Sequence, residues 1–247
     1  MIELTDIYRQ KDYTFKKILN EVRYGEISPE TEMEIKKLER NIICPTGITP
    51  TYLFPLRKEV EDINEKKLAQ LNGKLFTFHS TDLGDNTLLK QIEKNCPAPE
   101  VINLKVGAQV CLIKNLNNSL INGSIGVIKG FSKENYPLVY FPVPNCLVTI
   151  TPQEWVIENP KSEPNEIVVM AKRVQIPLIL SWALSIHKSQ GQTLNYIIVD
   201  LTKIFEYGQA YVALSRATNM EGLQVIGFNK QKIRPNIKVL GFSKLFK

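Results

Sequence analysis

Apolar residues recur at helical spacing through roughly the first 40 positions, at strand-like spacing from about 74 onward, and in short buried runs after 179. In "DYTFKKILNEVRYG", Phe15, Ile18, Leu19 and Val22 share one helical face, and Gly25 stands where a helix closes. "SPETEMEIKKLER" opens with Ser28 as an N-cap and Pro29 in the first turn. "ITPTYLFPL" predicts a strand. "KEVEDINEKKLAQL" predicts a helix with Val60, Ile63 and Leu68 as its stripe and Gly73 beyond it.

Short strand runs follow. "KLFTFHST", "LKVGAQVCLIKNL" (with Gly107 at its entry), "INGSIGVIKGF", "YPLVYF", "CLVTI", "EWVIE" and "EIVVMAKRVQIPL" are spaced as in a small barrel or sandwich. Asn122-Gly123 predicts a tight hairpin, while "PVPN" and "ENPKSEPNE" predict exposed loops. From 179 the order is strand ("LILSWAL"), polar loop, strand ("YIIVDL"), helix ("EYGQAYVALSRA", with Tyr207, Ala210, Tyr211 and Leu214 on one face) and strand ("LQVIGF"). Strands alternating with helices predict a parallel sheet. The predicted architecture is therefore α/β: one parallel-sheet region built from 1–73 and 179–247, interrupted by a small β insert at 74–178.

With 43% hydrophobic and 23% charged residues the chain can bury a core. No apolar run approaches the roughly 20 residues of a membrane helix, and "MIELTDIYRQKD" has no signal-peptide pattern. The sequence thus predicts an intracellular protein with no membrane partner. Cys44, Cys96, Cys111 and Cys146 lack metal-ligand spacing and predict reduced thiols. The net charge of +6 is localised: six basic residues and no acid lie between Asn229 and Lys247, and the rest balances at 25 of each sign. A basic tail of this kind attracts nucleic acid, or is simply solvated.

The candidate chemistry is incomplete by itself. GxxxxGK[ST], the usual phosphate cradle, does not occur: the glycines at 123, 126 and 130 are spaced differently. Asp200 ends a strand alone, and two histidines so far apart give no legible triad. What remains is "ALSIHKSQGQTL" at 183–194, a polar loop between two greasy runs. Ser185 ends a strand there, and Ile186 to Gln190 can form one helical turn closed by Gly191. His187 and Lys188 then sit at the carboxyl end of a parallel strand, where open α/β sheets bind ligands. Lys188 and the hydroxyls suit phosphates; Gln190 and the Gly191 amide suit a nucleotide. A solvated loop is the plain alternative. Arg216, at the end of the helix "YVALSRAT" in an apolar stretch, and Arg9, in "DIYRQKD", are planar permanent cations of the kind used in phosphoryl transfer. Ordinary ion pairs are the structural alternative for both.

"LSIHKSQGQTL" followed by "YGQAYVALSRATNMEGLQVIGF" resembles motifs V and VI of the Pif-type DNA helicases, superfamily-one enzymes related to RecD. "LTDIYRQKDYTFKKILNEVRYGEIS" resembles their motif IV region, and "GITPTYLFPLRKEVEDINEKKLAQLNG" the strand and helix after it. "LKVGAQVCLIKNLNNSLINGSIGVIKGF" looks like the entry to their inserted SH3-like domain. The resemblance implies a RecA-like domain (1–73 and 179–247) carrying an SH3-like insert after a linker (74–178). It further implies catalytic arginine fingers at Arg9 and Arg216, nucleotide contacts at Gln190 and Gly191, and single-stranded DNA contacts at Ser185, His187 and Lys188. ATP and Mg2+ would be gripped mainly by a P-loop RecA-like domain supplied in cis or in trans, so these residues alone are not expected to hydrolyse ATP. Translocation would run 5′ to 3′, and residence would be nuclear or mitochondrial in a eukaryote, otherwise cytoplasmic. The rival expectation is a non-catalytic module derived from a helicase, one that binds single-stranded nucleic acid or regulates. Arg57 matches a family position without a role that can be assigned. Ser185 and Gln192 depart from the commonest residues, and Gln192 is given no role.

Overall fold

The structure, a computed structural model, describes residues 9–45, 47–158 and 169–243. The chain divides into two units, Met1–Asn64 with Trp182–Lys247, and Glu65–Ser181.

The first unit opens with α1 (Tyr13–Tyr24), capped by the Asp12 carboxylate on the Phe15 amide and closed by Gly25 in the left-handed conformation. Its buried face is Phe15, Ile18, Leu19 and Val22, as the periodicity predicts. α2 (Pro29–Lys37) is capped by the Ser28 hydroxyl on the Thr31 amide; such a cap contributes about 1 kcal/mol. β1 (Thr51–Phe54) leads into α3 (Arg57–Gln70), which runs from the first unit into the second.

The second unit follows: β2 (Phe76–His79), β3 (Thr81–Gly84), α4 (Asn86–Asn95), β4 (Val101–Leu104), β5 (Gln109–Leu112), β6 (Ile125–Phe131), β7 (Pro137–Phe141), β8 (Cys146–Thr149), β9 (Gln153–Glu158), β10 (Val169–Gln175) and β11 (Leu178–Leu180). The chain then re-enters the first unit as β12 (Ala183–Ser185), β13 (Ile197–Asp200), α5 (Gln209–Leu214), β14 (Leu223–Ile226) and α6 (Ile237–Ser243).

The first unit holds a parallel sheet of order β12-β1-β13-β14. Leu53, Ile197, Val199, Leu223 and Val225 are buried in it, and α1 packs against α5. Its outer strands carry bonds on their free sides. The buried Asn64 amide donates to the Ala183 carbonyl at 2.9 Å and accepts the Ala183 amide at 3.0 Å on β12. The Val225 amide of β14 donates to the Leu38 carbonyl at 3.0 Å.

The second unit is antiparallel throughout: a sheet of order β11-β5-β6-β7-β8, another of order β3-β10-β9, and the pair β2-β4. Val110, Leu112, Ile128, Val139, Phe141 and Leu178 are buried in the five-stranded sheet. Arg173 of β10 makes two bonds to the Asp82 carboxylate, at 2.8 and 2.6 Å, and a third to the Ala98 carbonyl at 3.0 Å. The Gln175 amide donates to the carbonyls of Phe78, Pro99 and Glu100.

Four expectations need correction. "LILSWAL" is not one strand. Leu178–Leu180 pairs with β5, whereas Ala183–Ser185 pairs with β1. Ser181 is claimed by Gln109, its amide by the backbone and its carbonyl by the side chain, which ends one sheet where the next begins. The helix in "EYGQAYVALSRA" starts only at Gln209, because Gly208 is left-handed and the Gln209 carboxamide accepts the Phe205 and Glu206 amides. Its buried face is Ala210, Ala213 and Leu214, and Tyr207 is exposed. Asn122-Gly123 is the last turn of a longer β5–β6 connection rather than a tight hairpin, with the Ser124 amide bonded to the Ile121 carbonyl.

The sequence reading also passed over α4, capped by Asp85 and buried through Ile92. In the basic segment the backbone is anchored near Ile233, while the side chains of Lys230, Lys232, Arg234 and Lys238 are exposed. Ile233 is buried, the Gly208 amide donates to the Arg234 carbonyl, and a side chain at Gly25 would strike Pro235. The expected loop "ENPKSEPNE" lies outside the described residues apart from Glu158, as do Lys244 and Lys247.

Candidate nucleotide and strand interface

The loop after β12 must travel the length of the sheet. In a parallel sheet it leaves β12 at the carboxyl edge and enters β13 at the amino edge. The predicted site residues therefore separate into two groups along one segment.

At the carboxyl edge the turn is held by its own backbone. The Ser189 amide donates to the Ser185 carbonyl at 2.9 Å, and the Gln190 amide to His187 at 3.1 Å. The buried Ser185 hydroxyl accepts the Lys188 amide at 3.2 Å, so this side chain caps the turn. Ser189, also buried, donates its hydroxyl to the Ile186 carbonyl. His187 and Lys188 project outward. His187 Nε2 lies 3.1 Å from Glu206 Oε2. Lys188 is exposed as a residue, yet desolvation of its ammonium, with Arg57 nearby, lowers its pKa against an opposing pull from Glu61. Lys203 pairs with Glu59 at 2.7 Å and lies over the Phe54 ring.

Gln190 and Gly191 are exposed at the apex, where Gly191 has φ of +86° and open space where a side chain would be. Gln192 is buried, and its amide donates to the Ser189 carbonyl.

At the amino edge the segment meets both arginines. Leu194 bridges to Ala217, with the Leu194 amide on the Arg216 carbonyl at 3.0 Å. Arg9 donates Nε to the Thr193 hydroxyl and Nη1 to the Ser215 carbonyl, both at 3.1 Å. Arg216 donates Nε to the Val212 carbonyl at 2.9 Å and Nη2 to the Ser215 hydroxyl at 2.8 Å. Gln10, which the sequence did not single out, donates to the carbonyls of Ser215 (3.1 Å) and Ala217 (2.8 Å). Arg9 and Arg216 thus flank Ser215, and neither has a carboxylate within ion-pair range among the described residues. Burial lowers the pKa of the Arg216 guanidinium, and the charge of Arg9 lowers it further. Two fixed, like-charged forks in a half-buried setting are complementary to an anion with several oxygens.

A model of the Pif1 helicase 2B domain matches residues 87–131. The ATP-dependent DNA helicase PIF1 of Emericella nidulans is 38% identical over 98% of this chain and 39% of its own length. The crystal structure of Pif1 helicase from Candida albicans is 39% identical, with a TM-score of 0.72, over 98% of this chain and 60% of that one. Bacteroides Pif1 bound to single-stranded DNA is 27% identical, with a TM-score of 0.61, over 99% of this chain and 56% of that one. The chain is a homologue of the Pif1-type ATP-dependent DNA helicases, matched over part of their length. It spans between 36% and 41% of the curated PIF1 relatives.

The Pif1 2B-domain match falls on α4 through β6 of the antiparallel unit. The arginines and the loop at 185–193 of this Pif1-type homologue belong to the parallel-sheet unit. Among the described residues no helix is long and apolar enough to cross a membrane, and no three His, Cys, Asp or Glu side chains group as a metal site. The cysteines are free, and burial pushes the Cys111 thiol up to about 12. Besides Gln10, sequence reasoning missed Thr193, Ser215, Asn64 and Glu206. Each acts through a partner distant in sequence, and no local pattern marks it.

Proposed function

We propose that this chain supplies one wall of the nucleotide cleft of a Pif1-type helicase, with Arg9 and Arg216 reading the γ-phosphate of ATP. The observation that carries this is their convergence around Ser215, with no carboxylate within ion-pair range of either among the described residues. Charge developing on a transferring phosphoryl group is stabilised by such preorganised guanidiniums. The P-loop, the Mg2+ ligands and most of the grip on ATP come from another RecA-like domain, in the same longer chain or by association. Gln190 and Gly191 border the nucleotide. His187 and Lys188 meet DNA phosphates, while Ser185 holds the turn that presents them. The antiparallel unit is the SH3-like insert. ATP-driven closing and reopening of the cleft steps the protein 5′ to 3′.

The test joins this chain to the P-loop domain of a Pif1-type relative and follows single-strand-stimulated ATP hydrolysis. Turnover is expected from the joined protein, none from the chain alone, and near-complete loss on Arg216→Ala. Turnover by the chain alone that Arg216→Ala abolishes would overturn the division of labour. A strand-binding module without catalysis predicts instead that Arg9 and Arg216 can both be replaced without consequence.

A further inference from the structure

Gln10 has no part in the function described so far, although it is 3% exposed and spends its whole donor capacity on two carbonyls. Those carbonyls belong to Ser215 and Ala217, the residues on either side of Arg216. The carbonyl between them, of Arg216 itself, is taken by the Leu194 amide. Three consecutive peptide oxygens are thereby fixed, two of them by one carboxamide. Gln10 holds the peptide that precedes Arg216 and the one after Ala217, while Leu194 holds the peptide between them, so the Arg216 Cα and the direction of its Cα–Cβ bond are fixed. The side chain then has few ways to leave its course.

Arg9, the neighbour of Gln10, donates to the same Ser215 carbonyl at 3.1 Å. The dipeptide therefore holds both guanidiniums in one frame: Arg9 carries one charge, and Gln10 sets where the other begins. A glutamine suits this task. Its NH2 group has two donors for two acceptors. A carboxylate would set negative charge against carbonyl oxygens, and an asparagine would fall short by a methylene.

We infer that Gln10 is a positioning residue that aims Arg216 at its anion by clamping the backbone on both sides of it. This rests on the reading of Arg9 and Arg216 as a phosphate-binding pair, and the test keeps the two claims apart. Inorganic pyrophosphate is titrated into the intact 247-residue chain while the arginine Nε–Hε resonances are followed by NMR. The parent, Gln10→Met, Gln10→His, Arg9→Ala and Arg216→Ala are compared.

With Gln10→Met the Arg216 Nε–Hε signal is expected to move before any pyrophosphate is added, while α3 and the antiparallel unit keep their parent spectra. Pyrophosphate affinity is expected to fall about tenfold, the effect of one misdirected charged hydrogen bond. Gln10→His, which keeps one ring donor, is expected to recover part of both. An unmoved Arg216 signal with parent affinity in Gln10→Met overturns the inference. So does global unfolding of both Gln10 variants, which would make the residue a strut and nothing more. If pyrophosphate binds the parent, Arg9→Ala and Arg216→Ala alike, the phosphate-pair reading fails; the resonance shift in Gln10→Met then still decides the clamp.

Discussion

Arg173 in the antiparallel unit and Arg216 in the parallel-sheet unit are both buried, at 3% and 8% exposure, and they differ in what faces the charge. Arg173 meets a carboxylate with both arms of its fork and a carbonyl with the third donor. Its hydrogen bonds to Asp82 raise its pKa and lower that of the acid. Arg216 meets one carbonyl and one hydroxyl, and burial together with the charge of Arg9 lowers its pKa. Burying a charge without a counter-ion costs several kcal/mol, and among the described residues no carboxylate lies within ion-pair range of Arg216. One arginine is finished by its own unit and stabilises it. The other has no carboxylate partner among the described residues, and the proposed phosphate-binding role draws on that difference.

The sharpest break in that contrast is functional. In a protein joined to a P-loop domain, Arg216→Ala should cost on the order of 10³-fold in strand-stimulated turnover. The same change should shift the unfolding free energy by less than about 1 kcal/mol, as read by urea denaturation. Asp82→Ala should do the reverse: about 3 kcal/mol of stability lost, since it strands a buried guanidinium, with kcat per folded molecule unchanged.

Acid titration sharpens the difference further. The folded Asp82 carboxyl titrates below its ordinary value of 3.8, so its stabilising contribution is complete above that pH and lost as pH falls through the lowered value. The stability gap between parent and Asp82→Asn should therefore close below about pH 4. Arg216→Ala and the parent should run parallel over the same range. The smallest effect belongs to the carboxyl edge. Lys188→Ala should weaken single-strand binding by a few-fold and reduce the salt slope by about one. An unchanged slope would remove Lys188 from the strand track.

Local features were legible in the sequence and distant ones were not. The helices α1 and α2 follow from Asp12, Ser28 and Gly25 with a single apolar stripe, because caps and periodicity act within a few residues. The Asp85 cap of α4 carried the same kind of signal, but the surrounding strand runs masked it. The division of "LILSWAL" was not legible, since it depends on Gln109, 72 residues from Ser181. Arg9 and Arg216 could be nominated from residue type and motif. That they share Ser215 is a matter of tertiary folding across 206 residues. Gln10 sits in a polar stretch with no local signal, and its two backbone acceptors are 205 and 207 residues away.

The amide of Asn64 against β12 and the Leu38 carbonyl against β14 have an effect on self-association. Unsatisfied rims invite neighbouring molecules to zip on as extra strands. Here both rims are already spoken for, so the parallel core cannot be lengthened into a fibre without first prying off its own side chain or loop. Replacing Asn64 with valine would unlock one rim, and aggregation under otherwise harmless conditions would be the visible sign.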